Sequence, residues 1–221
     1  MALAIFDLDN TLLGGDSDHE WGEFLVAHEL VDVVAYKQAN DQFFEDYQNG
    51  CLNMDNFLSF SLQPLTQFSL ERLNALHAQF MEERIQPIML TKAADLLADH
   101  KHKGDTLLII TATNRFITEP IARLLNVDDI LATEPEFDGT KYSGNVVYPP
   151  CFQEGKITHL RGWLEQHPEH SLTDSYFYSD SHNDLPLLEL VDHPVAVNPD
   201  DTLRDIALNK SWPILDLRND G

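Results

Sequence analysis

Short apolar runs recur along this chain and constrain its fold more than any other feature: LAIF at 3–6, TLLIIT ending at Thr111, SYFYSD ending at Asp180 and PVAVN at 194–198. Each has the length of a buried strand, and helical patterns separate several of them. That alternation predicts an α/β fold, a parallel sheet covered by helices. After Asn114, the residues Ile117, Ile121, Leu124 and Leu125 fall at helical spacing. Pro120 is accommodated if that helix starts at Thr118, with Thr118 as its cap and proline in the first turn.

Residues 7–105 contain no convincing strand. Segments 17–30, 32–48, 53–62 and 69–87 read as four helices, the last with a stripe of Leu70, Leu73, Leu76, Phe80 and Ile85 behind a capping Ser69. A crossover needs far fewer residues, so an inserted helical bundle is expected over 14–87, with the α/β core formed by 1–13 and 88–221. Met54, Phe57 and Phe60 read as the bundle's own interior. Gly14-Gly15 and Gln86-Pro87 mark the expected hinges, since glycine tolerates the dihedral changes a hinge needs.

The 221 residues are 43% hydrophobic, enough for one sizeable core and a second small one. No run approaches the ~18 apolar residues of a membrane span, and no basic segment precedes the first apolar run. Cys51 and Cys151 share no metal-type spacing and read as reduced thiols in a cytoplasmic protein. A formal net charge of −23 argues against a nucleic-acid partner, because phosphate backbones need Lys and Arg. It favours small substrates, especially ones carrying a positive group. Nothing in the sequence sets an oligomeric state.

Three runs end in polar residues of one kind. Asp7 and Asp9 follow the first and point the same way in an extended chain; Thr111 ends the second; Asp180, Asn183 and Asp184 lie in SDSHNDLP. The carboxyl ends of parallel strands form a binding crevice. If these strands are neighbours, the carboxylates converge there and repel unless a cation joins them. All-oxygen donors suit Mg²⁺, and Lys156, after Gly155 at a helix start, is a second source of positive charge. A calcium loop does not fit DLDNTLLGGDSD, which has Leu12 and Asp18 where Gly and Glu are required.

DLDNTL, TAT closing a strand-like run, Lys156 and SDSHNDLP, in that order, resemble the four motifs of haloacid dehalogenase-like phosphohydrolases. The resemblance spans essentially the whole chain. The helical insertion directly after the first motif is similar to the cap of the phosphoserine-phosphatase-like branch, and KYSGNVVYPPCFQEGK to the hairpin and loop before that branch's motif lysine. It implies a Rossmann-like core and Mg²⁺-dependent hydrolysis of a small phosphate ester. Asp7 would be the nucleophile and Asp9 the general acid and base. Asp7, Asp180 and the Asp9 carbonyl would bind the metal, with Asn183 and Asp184 orienting its shell. Thr111 and Lys156 would hold the phosphoryl oxygens, and Thr11 would shape the turn that aims Asp9.

One departure bears on the substrate. Where that branch places a cap arginine for the substrate carboxylate, this chain has Ser61, and no Lys or Arg occurs between Lys37 and Arg72. Asp16 matches the acid that receives an amino group in the branch, and Asp18, His19 and Glu20 add polar capacity beside it. A substrate with a cationic end and no carboxylate is expected, L-histidinol phosphate ahead of phosphoserine. Phosphotransfer to a second acceptor stays open. A phospho-accepting signalling module would leave the helical insertion unexplained.

Overall fold

The computed structural model describes residues 2–218. Its strands are β1 (Leu3–Phe6), β2 (Thr106–Asn114), β3 (Asp129–Phe137), β4 (Tyr142–Val147), β5 (Tyr176–Ser179), β6 (His193–Val197) and β7 (Ile214–Leu215). They form one sheet in the order β4-β3-β2-β1-β5-β6-β7, parallel except for the β3–β4 hairpin. The chain runs from β1 to β2 and β3 on one side, then crosses to β5 on the other. A crevice therefore opens at the carboxyl end of β1, between β2 and β5.

Alternation along the central strands separates two apolar layers. Leu3, Ile5, Leu108 and Ile110 pack with Leu160, Trp163 and Leu203 on one face, and Ala4, Phe6, Leu107 and Ile109 lie on the other. Burial on both faces is why these strands read as continuous apolar runs. The hairpin and β7 fall outside that signal: β4 alternates half-buried and exposed residues, and β7 has two residues.

Four helices follow β1: α1 (Ser17–Ala27), α2 (Val33–Gln48), α3 (Met54–Leu62) and α4 (Leu70–Phe80). Asp16, Asp32, Asn53 and Ser69 cap them through their side chains. Past Phe80 the apolar stripe continues through a wide turn, Met81–Ile85, and a tight one, Gln86–Ile88. The chain leaves and rejoins the sheet side by side, with Leu13 bridged to Met89 and the Gly14 N–H donating to the Ile88 carbonyl at 2.7 Å. Neither Gly14 nor Gly15 has positive φ. A Cβ on Gly14 would sit 3.2 Å from Leu90, so glycine here permits close approach.

The insertion shares its core with the sheet domain. Trp21 and Phe24 of α1 and Phe80 of α4 belong to the same apolar cluster as Phe6, Ile109, Phe116 and Ile117. Buried His77 of α4 stacks against Trp21 and meets Phe116 edge-on. Its Nε2–H donates to the Ile117 carbonyl at 2.9 Å, and burial lowers its pKa and keeps the ring neutral. By contrast, Asn40 is the one fully buried residue of α2.

The remaining helices are α5 (Thr91–Lys103), α6 (Arg115–Leu125), α7 (Glu154–Gln166), the single turn α8 (Leu185–Leu188) and α9 (Asp201–Lys210). Helix α6 corrects the expected start at Thr118. It begins one turn earlier, capped by Asn114, whose Oδ1 accepts the Ile117 N–H at 3.3 Å. Pro120 lies inside it, and the Thr118 hydroxyl donates back to the Asn114 carbonyl. Its apolar face, including buried Phe116 and Ile117, outweighs the lost backbone bond at the proline.

Gly155 fixes where α7 begins, because a Cβ there would lie 1.9 Å from the Pro150 carbonyl oxygen. Nothing in that backbone pair can yield without moving the helix that carries Lys156. Gly155→Ala should therefore lower the melting temperature by several degrees. It should also cut the phosphate-ester hydrolysis that the motifs imply about 100-fold, the scale of an ångström-sized misplacement. Melting and steady-state assays read both, and near-native values in both would contradict this placement.

Candidate active site

Asp7 immediately follows β1, and its N–H donates to the Tyr178 carbonyl at 2.9 Å, which fixes it against β5. The Lys156 ammonium donates to Asp7 at 2.8 Å and lies 2.7 Å from Asp184. Lys156 is 2% exposed, Asp7 5% and Asp184 3%. The Ser179 hydroxyl donates to Asp184 at 2.7 Å. Burial opposes the ammonium, but Asp184 and Asp7 together outweigh it and raise the Lys156 pKa. Burial also pushes Asp7 up to about 7 against the pull of Lys156, with Asp184 and Asp9 adding repulsion. Asp180 is raised well above its ordinary value by burial, then by Asp7 and Asp184.

Three carboxylates thus surround one ammonium, and the cluster is a cation short. Its donors are hard oxygens, with no sulfur or imidazole among Asp7, Asp180 and Asp184, and that set fits Mg²⁺. The SDSHND loop is held for such a task. The Asp180 N–H donates to the Thr11 hydroxyl at 3.0 Å, and Asn183 is fixed by Gln153 at 3.1 Å and Ser181 at 3.2 Å. Thr11 sits in the turn that carries Asp9, its N–H donating to the Leu8 carbonyl, and its hydroxyl also braces Asp180 across the crevice.

Asp9 faces the other way. One carboxylate oxygen accepts the Ser17 N–H at 2.6 Å; the other accepts the Thr113 hydroxyl at 2.8 Å, with the Thr111 hydroxyl at 3.5 Å. Burial, followed by Asp16, pushes its pKa up to about 6. Such a group can give and take a proton near neutrality. Thr113 was missing from the expected set although it lies two residues beyond Thr111, on the same side of an extended strand.

Between these groups and the helical insertion lies a cleft. Asp7, Asp9, Thr111 and Thr113 line its floor. Helix α1 and its cap contribute Asp16, Asp18 and His19, and α2 contributes Asn40, Phe43, Phe44 and Tyr47. Tyr47 also reaches the SDSHND loop, where burial first and then Asp180 raise its pKa and Ser181 offers a hydrogen bond. Met54 and Phe57 line the cleft from α3, correcting the expectation that they serve only the bundle's interior; Phe60 does stay inside, stacked on Tyr36 at 4.4 Å. An apolar helical stripe announces burial without naming what covers it.

Two further expectations change. Glu20 pairs with Arg84 at 3.4 Å and is not among the residues that line the cleft. Ser61 is buried within the bundle and does not line the cleft, so the arginine's counterpart by chain position does not reach the site. Arg72 is exposed, and no Lys or Arg lines this cleft among the described residues.

The comparisons agree with this geometry. The family model for haloacid dehalogenase-like hydrolases matches residues 4–189. A protein of Neisseria meningitidis serogroup C (strain 8013) called histidinol-phosphatase is 46% identical over 220 residues, covering 98% of this chain and 99% of its own length. A solved structure of a Bordetella pertussis Tohama I protein of unknown function superposes with a TM-score of 0.91 at 40% identity, covering 98% of each chain. A substrate-bound phosphoserine phosphatase shares the fold, with a TM-score of 0.73 at 17% identity over 98% of this chain and 95% of its own. With its four motifs assembled at the carboxyl edge of one sheet beneath a helical insertion, the chain belongs to the haloacid dehalogenase-like hydrolases, in the branch that holds phosphoserine phosphatase.

Proposed function

We propose that this phosphatase hydrolyses a small phosphomonoester with a cationic end, L-histidinol phosphate first, through an aspartyl-phosphate on Asp7. The observation that carries the substrate reading is the cleft's charge: acids and aromatic rings on the insertion side, with no Lys or Arg among the described lining residues. A substrate carboxylate would find no partner there, and leaving such a group unpaired discriminates strongly. The relative called histidinol-phosphatase supports the same choice.

In the proposed reaction Asp7 attacks phosphorus in line, and the ester oxygen departs taking the proton of Asp9. Asp9, now a carboxylate held by Ser17 and Thr113, removes a proton from water, which attacks phosphorus and returns Asp7. Lys156 and Thr111 neutralise and orient phosphoryl oxygens. Asp7, Asp180 and the Asp9 carbonyl would hold Mg²⁺, with Asn183 and Asp184 setting its surroundings. When bound, the ion supplies charge neutralisation for the phosphoryl group. Residues 14–87 act as the cap that excludes water, over a core formed by 1–13 and 88–221.

Asp7→Asn should reduce turnover at least ~1,000-fold and abolish any acid-stable phosphoprotein. Asp9→Asn should cost about 100- to 10,000-fold, while esters with good leaving groups still phosphorylate the protein. Rapid-quench labelling distinguishes the two, and near-native turnover in Asp7→Asn would remove the nucleophile.

Stability gives a test independent of turnover. Folding raises the pKa of Asp7 to about 7 and of Asp9 to about 6, so between pH 4 and 7 the folded, metal-free protein holds more protons than the unfolded chain. Its stability from these groups falls as pH rises through that window. Mg²⁺ should therefore stabilise most above pH 7, by roughly 5–10 °C at a hundredfold excess over its Kd, and little near pH 4. A Mg²⁺ effect independent of pH across 4–8 would contradict the assignment.

The substrate is tested by phosphate release from a panel of esters with Mg²⁺. L-Histidinol phosphate should exceed O-phospho-L-serine in kcat/KM by at least about 100-fold. A clear preference for phosphoserine would overturn the reading of the cleft. Product formed only when an alcohol acceptor is added would mark a phosphotransferase.

A further inference from the structure

Three acids near the start of α1 had equal claim to the substrate's positive charge, and their surroundings separate them. Asp16 commits Oδ1 to the Asp18 and His19 N–H groups at 3.0 and 2.9 Å and thereby caps the helix. Glu20 is paired with Arg84, away from the cleft. Asp18 alone lines the cleft with its Oδ2 buried and without any hydrogen-bond partner, in a residue only 8% exposed. A buried carboxylate oxygen left unpaired is costly, and the cost is recovered when a cation or a proton reaches it.

The rest of the wall suits a cation rather than a hydroxyl. Phe43 and Phe44 of α2 and Phe57 of α3 present ring faces or edges to the same space, and aromatic faces attract ammonium and imidazolium groups. The nearest basic side chain on these helices, Lys37, is spent on Glu23 at 3.0 Å and Asp41 at 3.2 Å. His19 is tied to α2 instead: its Nδ1 lies 3.1 Å from Asn40 Nδ2, and the same amide donates to the His19 carbonyl at 3.0 Å. Burial, then Asp16 and Asp9, raises the Asp18 pKa, so an approaching cation would relieve the same burial and repulsion.

We propose that Asp18 is the specificity-determining residue of this enzyme, receiving a protonated amine or imidazolium of the substrate in a subsite walled by Phe43, Phe44 and Phe57. The inference rests on the cationic-substrate reading above, and it assigns the charge to Asp18 where the family resemblance points to Asp16.

The test compares two alkyl phosphates of similar shape, L-histidinol phosphate and 3-phenylpropyl phosphate, which lacks any cationic group, in the Mg²⁺-loaded enzyme. The readout is the ratio of their kcat/KM values, in which any loss of folded protein cancels. Wild type should show a ratio well above one; a ratio near one would reject the cationic-substrate reading itself. Asp18→Asn keeps shape while removing the charge, and should lower the ratio about 10- to 100-fold, the range for losing a hydrogen bond to a charged group. If wild type discriminates and Asp18→Asn stays within threefold of it, the assignment to Asp18 is overturned while the substrate reading stands. A collapse in Asp16→Asn but not in Asp18→Asn would overturn it equally.

Discussion

The organisation of this molecule depends on one buried ammonium. Lys156 reaches from α7 to Asp7 at the end of β1 and Asp184 beyond β5, so a single charge ties together two strand ends and a helix start. Gly155 and the tight turn at Pro150 exist to place it. Without Lys156, Asp7 and Asp184 would lose the ammonium that pairs with both. Even with it they remain under-compensated, and the Mg²⁺ of the proposed reaction would relieve that deficit. Stability and chemistry are coupled through one electrostatic imbalance.

The helical insertion extends this logic in two parts. Helices α1 and α4 are joined to the sheet domain by a continuous apolar cluster and by the bond from His77 to Ile117. Helix α2, with Asn40 as its one fully buried residue, and the cleft-facing part of α3 supply the walls. The anchored helix α1 carries Asp18, and Asp9 is positioned by the first N–H of that helix. The anchored root thus holds both the proposed acid–base group and the proposed charge receptor. The rest of the wall sits on helices that contribute less to the core.

Much of this was legible in the sequence. The central strands announce themselves because both faces are buried, and Asp7, Asp9, Thr111 and Asp180 follow from where those runs stop, while Lys156 stands out only through the family resemblance. The misses share a cause. Thr11 braces Asp180, a partner 169 residues away, which no local pattern reveals. Met54 and Phe57 carry the right periodicity for burial, but periodicity cannot distinguish a bundle interior from a cleft wall. Glu20 and Asp18 are two residues apart and equally acidic; only the tertiary position of Arg84 separates a surface ion pair from an unpaired carboxylate. Pro120 suggested a later helix start because local propensity was weighed without the apolar face that overrides it.

The most direct test of the central claim is a crystal structure with Mg²⁺ and beryllium trifluoride, a mimic of a phosphoryl group on a carboxylate. The account predicts beryllium on the Asp7 carboxylate, its fluorines facing Lys156 and Thr111, and one Mg²⁺ held by Asp7, Asp180 and the Asp9 carbonyl. Beryllium on any other carboxylate, or Mg²⁺ settled instead in the His19, Glu23 and Asp41 group of the insertion, would contradict it.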